Sequence, residues 1–332
     1  VYKRQNQADP SYYAYLDCKI PFLNGGLFEP YKDYDWKNIS LLLPNELFSN
    51  QNRDGILDVF DLFNFTVKED EPLEKEVAID PELLGKIYEK LNAIREDNFE
   101  EYKKAVKSDE SKFNKSYGVY YTPREIVHFM AQNVLVEYLF ENLKDKSQDL
   151  ESLKRDLENF IFYSDEFKEN DAKALEKQEK IEKGEQKSSK YKPKISAFIQ
   201  ENAKIIDKLL EDVKIIDPAV GSGAFPIGLM HEIIKAREYL HNLYFENKET
   251  AYELKSHCIQ NSLYGVDIDS GAIEITRLRF WLSLVVDEED LTHIRPLPNL
   301  DYKLVVGDSL SHGISIGTVS YTHLTLPTIY SV

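Results

Sequence analysis

Three carboxylates in the C-terminal half of the chain stand where apolar runs end. Asp217 closes the run 213–217, Asp267 closes Leu263–Asp267, and Asp308 follows 303–307. The first leads directly into a small-residue turn, Asp217-Pro218-Ala219-Val220-Gly221-Ser222-Gly223-Ala224-Phe225, and then into a helical pattern. Glycines at 221 and 223 let ligand atoms approach the backbone closely, at a helix start rich in free N–H groups. The turn departs from the dinucleotide fingerprint G-x-G-x-x-G, whose third glycine position is Pro226 here, and it lacks the Lys-Ser/Thr of a phosphate-binding loop. An acid ahead of the loop suits a cationic or zwitterionic ligand better than a pyrophosphate. The plain alternative is an ordinary strand-to-helix turn.

The other two acids extend the pattern. In nucleoside-binding α/β sheets an acid at the tip of the second strand accepts hydrogen bonds from ribose hydroxyls, and Asp267 fits that role. Asp269 reads equally well as the N-cap of the helix that follows. The interval from Gly223 to Asp267 exceeds the usual spacing of about 20 residues, so an extra helix over 243–259 is expected to fill it. Gly307-Asp308 alone would be a common turn. In series with the other two it places three acids at the carboxyl ends of parallel strands, where ligands of such sheets bind.

The elements that must position these residues are legible as a change of texture. From 213 onward, apolar strands alternate with helical segments over 213–217, 225–240, 263–267, 271–286 and 303–307, the β-α-β-α-β pattern of a parallel α/β sheet. Its strands are expected to pair in the order 3-2-1, leaving the apolar residues Val213, Ile215 and Ile216 on an open edge. Upstream, 6–110 mixes aromatics with turn signals. It includes a short helix near 56–63 and a clearer one over Pro81–Asn92, with Leu83, Leu84, Ile87, Tyr88 and Leu91 on one face. The segment 125–143 is a strong amphipathic helix, with Ile126, Phe129, Val134, Leu135 and Leu139 at helical spacing. Residues 144–194 read as a charged, solvated helical insertion, followed by a further helix over 195–210. Phe280 and Trp281 belong to the core.

Composition limits the classes of function. Hydrophobic residues at 42% and aromatics at 12% over 332 residues suffice for about two domains. The balance of 41 Lys+Arg against 58 Asp+Glu, net −17, is opposite in sign to that of most domains gripping nucleic acid by its phosphates. No apolar run approaches the roughly 20 residues that span a bilayer, and no signal peptide opens the chain. Cys18 and Cys258 are too few for a disulfide scaffold or a cysteine zinc site, and the 7 histidines form no H-E-x-x-H pair. These features point to a cytoplasmic protein with no membrane contact and no metal.

Both ends read as processing scars. Val1-Tyr2-Lys3-Arg4-Gln5 resembles the translation of a transposon-end sequencing adapter, and 319–332 resembles that of its opposite strand. The expected division is adapter (1–5), a mainly helical N-terminal region (6–115), a partial catalytic domain (116–318) with its insertion at 144–194, and adapter again (319–332). The chain is thus expected to be a fragment of a longer protein.

These residues resemble a known family. Asp-Pro-Ala-Val-Gly-Ser-Gly-Ala-Phe at 217–225, Gly-Val-Asp-Ile-Asp at 265–269 and Gly-Asp-Ser at 307–309 resemble motifs I, II and III of S-adenosylmethionine-dependent DNA adenine-N6 methyltransferases. Gly118-Val119-Tyr120-Tyr121-Thr122-Pro123-Arg124-Glu125-Ile126-Val127 resembles their motif X, whose position before motif I marks the gamma class. The segments 22–29 and 81–89 are similar to the N-terminal parts of large restriction-modification and phage-defence (type IIG-like) methyltransferases. The resemblance implies the first half of a Rossmann-like methyltransferase sheet and S-adenosylmethionine as cofactor. Thr122 and Pro123 would line its methionyl end; for Thr122 a helix N-cap ahead of Pro123 at the first helical position is an alternative or additional role. Asp217, Pro218, Ala219 and the backbone of Gly221, Ser222 and Gly223 would hold its amino-acid portion. Asp267 would take the ribose, Ile268 would lie against the adenine face, and Asp308 would accept from the adenine amino group.

The family's catalytic tetrapeptide, Asn/Asp-Pro-Pro-Tyr/Phe, occurs nowhere in the sequence, and Pro296-Leu297-Pro298-Asn299 precedes the third strand and does not replace it. That motif holds the flipped adenine. The expectation is therefore a cofactor-binding part that is inactive alone, with double-stranded DNA engaged through a region beyond the fragment. Alternatives are a methyltransferase for RNA or protein glutamine, and a DNA-binding or scaffolding subunit whose pocket is only structural.

Overall fold

A computed structural model describes residues 12–13, 18–19, 43–62, 81–92, 122–183, 188, 190–286, 300 and 302–309. The adapter-like ends and the segments 22–29, 96–115, 118–121, 184–187 and 296–299 lie outside the described residues.

In the N-terminal region, β1 (Tyr12–Tyr13) and β2 (Cys18–Lys19) form an antiparallel pair, a small β element within a region expected to be mainly helical. α1 (Ile56–Phe60) follows a loop that closes on its own carboxylate. Asp58 accepts from the Ser49 hydroxyl at 2.7 Å and the Asn50 N–H at 2.9 Å. Those bonds, the Ser49 hydroxyl foremost, hold its carboxyl below the ordinary range. α2 (Pro81–Asn92) starts at the proline, whose missing N–H costs nothing in a first turn.

The sheet contains β3 (Ile215–Asp217), β4 (Leu263–Asp267) and β5 (Leu304–Val306), all parallel, in the order β3-β4-β5. Ile215 stands opposite Leu263 and Gly265 opposite Leu304. This is the expected 3-2-1 order, and parallel pairing requires the intervening crossovers, α7 (Ala224–Tyr244), α8 (Ala251–Asn261) and α9 (Ser270–Val285). α3 (Arg124–Leu143), α4 (Leu150–Glu182), α5 (Ala197–Glu201) and α6 (Ala203–Asp212) complete the order. α7 is the hub, packed on α3, α4, α6 and α8 as well as on β3 and β4. Its buried Met230, Ile233, Tyr239 and Leu240 meet Leu135, Leu139, Phe160 and Ile206 in one core. Among the described residues no helix is long and apolar enough to cross a membrane.

Four sequence expectations are corrected. α3 buries Val127, Ala131, Leu135, Val136, Leu139 and Leu143, while Ile126, Phe129 and Val134 are 50%, 63% and 58% exposed. Its first half is apolar on more than one side, so periodicity alone does not choose a face. The choice is made at α7, where a Cβ on Gly228 would overlap Val127 Cγ1. The segment 144–194 is likewise not solvated all round. α4 buries Leu153, Leu157, Phe160, Ile161 and Ala174 along one narrow stripe, and its charges occupy the rest of the surface. Midway, the buried carboxylate of Asp171 accepts from the N–H groups of Lys194 (2.7 Å) and Ile195 (3.2 Å) and from the Tyr239 hydroxyl (2.7 Å). These bonds tie the returning chain to α4 and α7, and burial together with Asp171 pushes the Tyr239 phenol well up.

The helix expected over 195–210 is two helices divided at Asn202, which ends α5 and precedes α6. The helix expected over 243–259 is instead α8, because α7 runs on to Tyr244. Thr250 and Glu253 set the start of α8 by a reciprocal capping box, with the Glu253 N–H on Thr250 Oγ1 at 3.2 Å and the Thr250 N–H on Glu253 Oε2 at 2.8 Å.

Candidate functional site

The turn after β3 is built by its own side chains and by α9 beneath it. Asp217 Oδ1 accepts from the Ala219 N–H at 3.0 Å, which bends the chain and leaves Pro218 and Ala219 exposed. The Val220 N–H then donates to the Val266 carbonyl at 2.9 Å, seating the turn on β4. Gly221 (φ 53°) and Gly223 (φ 87°) both take the left-handed conformation that side chains disfavour. Gly223 has a second constraint, since a Cβ there would lie 2.9 Å from the Thr276 methyl. Thr276 donates its hydroxyl to the Gly221 carbonyl at 3.0 Å, and Arg279 Nη1 donates to the Ser222 carbonyl at 2.7 Å. Both side chains are buried, so the peptide planes of the turn are held from below.

The tip of β4 closes against this turn. Asp267 Oδ2 accepts from the Gly221 N–H at 2.8 Å, and Oδ1 accepts from the Asp269 N–H at 2.9 Å. Asp269 caps α9 by accepting from the Gly271 N–H at 3.0 Å. Ile268, between these two acids in sequence, is 78% exposed. The Gly307 N–H donates to the Asp267 carbonyl at 2.8 Å, so the end of β5, with the exposed Asp308 next in sequence, adjoins the end of β4. Asp217, Asp267 and Asp308 therefore follow or end three adjacent parallel strands. Burial raises the Asp217 carboxyl above its ordinary range, and the neighbouring charge of Asp267 adds to the rise despite the Ala219 N–H. Such an edge favours a ligand that carries positive charge.

Thr122 and Pro123 stand at the start of α3 rather than in the turn. Pro123 occupies the N-cap position of α3 and no side chain caps the helix, so Thr122 is not the N-cap that the sequence allowed. α3 itself packs on α7, where Val127 fills the space left by Gly228. Arg124 forms an ion pair with Glu82 of α2. A cleft of roughly 260 Å³, its open mouth included, lies where α2, α3, α7 and α9 meet, lined among others by Glu82, Arg124, His128, Gly228 and Arg279. None of the three strand-end carboxylates lines it, and its charged walls are already paired, so it is a packing gap rather than the site.

Sequence reasoning missed Thr276, Arg279 and Tyr88. Thr276 and Arg279 lie three apart on α9, and a threonine and an arginine on the buried side of a helix are a signal that something polar needs holding there. Helical spacing puts Tyr88 on an apolar face of α2 with Leu83, Leu84, Ile87 and Leu91. The face that meets α9 instead carries Gly85 and Tyr88, and Ile87 is 44% exposed.

No family model and no solved structure matches the chain. Over 300 residues, 88% of the chain, it is 33% identical to a protein of Methanocaldococcus jannaschii named provisionally as a type II restriction enzyme and methyltransferase, of which it covers 21%. Over 220 residues, 66% of the chain, it is 23% identical to the adenine-specific methyltransferase PglX of Lacticaseibacillus casei, of which it covers 15%. The chain spans about a fifth or less of the length of these curated relatives. Over most of its own length it is similar to proteins named as methyltransferases.

Proposed function

We propose that the chain is the S-adenosylmethionine-binding part of a DNA methyltransferase of a restriction-modification or phage-defence system, acting on adenine N6. The observation that carries this reading is the meeting of Asp217, the glycine turn and Asp267 at adjacent strand ends, with Asp267 bonded to the Gly221 N–H. The names of both relatives agree with it.

The donor set suits the cofactor. Each Asp267 oxygen takes one backbone N–H and keeps a lone pair for a ribose hydroxyl. Ile268 offers an apolar surface to an adenine ring, and Asp308 accepts from the ring's amino group. Asp217 and the backbone of Gly221–Gly223 receive the zwitterionic end, with Thr122 and Pro123 on its far side. The cofactor supplies an electrophilic methyl on a sulfonium, a cation for which this acidic edge is matched. The tetrapeptide that seats a flipped adenine is absent from these 332 residues, so the chain holds cofactor without methylating DNA by itself.

Equilibrium dialysis against tritiated S-adenosylmethionine tests the reading. Saturable binding to a single site is expected, and its absence overturns the assignment. Incubation with duplex DNA of mixed sequence tests the second part: methyl label retained on the DNA above background means that the acceptor site has been misplaced.

A further inference from the structure

Resting on that reading, we infer that α2 is a strut of the cofactor site and that Tyr88 is a positioning residue for the ribose-binding carboxylate, Asp267. Three residues of α2 at a spacing of three, Glu82, Gly85 and Tyr88, each touch a different segment of the site. Glu82 pairs with Arg124, the residue after Thr122-Pro123. Gly85 packs on the turn so closely that a Cβ would stand 2.8 Å from Ser222 Oγ and 3.0 Å from Arg279 Nη1. Tyr88 donates its hydroxyl to Asp269 Oδ2 at 3.0 Å.

The last contact leads to the site by consecutive hydrogen bonds. Asp269 is held at one oxygen by Tyr88 and at the other by the Gly271 N–H. Its own N–H then holds Asp267 Oδ1, while Gly221 holds Oδ2. The carboxylate plane of Asp267 is thus set from both sides, and on one side Asp269 is anchored to Tyr88 of α2, 181 residues before it in sequence. Gly271 is the matching half of the joint: a Cβ there would overlap the Tyr88 hydroxyl. A hydroxyl that fits only beside a glycine, and that reaches the residue orienting Asp267, does more than fill a core.

The test compares the full chain with Tyr88→Phe, Gly271→Ala and the double variant. The ligands are S-adenosylhomocysteine and its 2′-deoxyribose counterpart. Tyr88→Phe should weaken the ribose ligand about 3- to 10-fold, the range for one lost hydrogen bond. It should weaken the 2′-deoxyribose ligand, which keeps one hydroxyl fewer for Asp267, by clearly less, and the variant should still unfold in one cooperative step. Gly271→Ala displaces the same hydroxyl, so it should weaken the ribose ligand similarly, and the double variant should be no worse than the poorer single one. Equal loss for both ligands, or additive losses in the double variant, overturns the positioning role. Wild-type protein that binds while Tyr88→Phe binds equally well overturns this inference alone. Wild-type protein that does not bind overturns the reading beneath it as well. Should Tyr88→Phe fold poorly, Gly271→Ala decides by the same ligand comparison.

Discussion

Asp267 is the residue on which most of the geometry converges, and its removal is the sharpest single test. Asp267→Ala deletes the acceptor proposed for the ribose and also frees the Gly221 and Asp269 N–H groups. Loss of a hydrogen bond to a charged group costs about 1.5–3 kcal/mol, so the dissociation constant for S-adenosylmethionine should rise roughly 10- to 150-fold. Calorimetry on the folded variant checks this, and unchanged affinity would make the carboxylate only a brace for the turn. Asp217 makes a different prediction because burial raises its carboxyl above the ordinary range. A cationic ligand prefers the ionised form, so affinity should fall as pH is lowered from about 7 toward about 4. The sign for folding is opposite. A carboxyl with a raised folded-state pKa binds protons more readily folded than unfolded, so its contribution to stability grows as pH falls through that range. Titrations of binding and of chemical unfolding on one protein separate the two, and Asp217→Asn should flatten both.

At the scale of elements, the junction of α3 with α7 fixes which face of α3 is buried. Gly228 lies where α3 crosses α7, and a Cβ there would overlap Val127. Gly228→Ala would raise helix propensity by roughly 1 kcal/mol yet is expected to destabilise the fold by about 1–3 kcal/mol net through overpacking. Val127→Ala in the same chain should recover part of that loss. Urea unfolding of the single and double variants measures both, and a neutral Gly228→Ala would mean that the helices separate without cost. The same junction carries a polar cluster. Glu232 is buried, which favours protonation, but its contacts with His128, Lys235 and Gln132 outweigh burial and hold the carboxyl below its ordinary range. Similar reasoning explains why α4 escaped a purely sequence-based reading. Its buried positions occupy a thin stripe among many charges, and its central carboxylate, Asp171, is bonded to segments that follow it by 23, 24 and 68 residues.

For the molecule as a whole, β3 pairs with β4 on one side, and among the described residues no strand lies on its other side. Ile216 on that strand is 71% exposed. Lys214 and Pro218 flank this edge, yet the short stretch between them offers unpaired N–H and C=O groups and an exposed isoleucine to another chain. Sedimentation velocity should show self-association that grows with concentration, and Ile216→Lys should reduce it. Association that persists unchanged in the variant places the contact elsewhere.

The strand-turn-helix at 217–225, the carboxylates at the strand ends and the boundaries of β4, α2 and α9 were legible because each rests on local chemistry. A glycine forced to positive φ, a cap within three residues of a helix start and a proline in a first turn are all decided within one or two turns of chain. The face that α3 buries, the part of α4 that enters the core and the docking of Tyr88 against Gly271 were not legible. Each depends on what another element presents in space: a missing Cβ at Gly228 for Val127, a missing Cβ at Gly271 for the Tyr88 hydroxyl. Local sequence determined which residues end strands and begin helices. Tertiary structure decided which of them meet, because close packing selects among faces that hydrophobic periodicity leaves nearly equivalent.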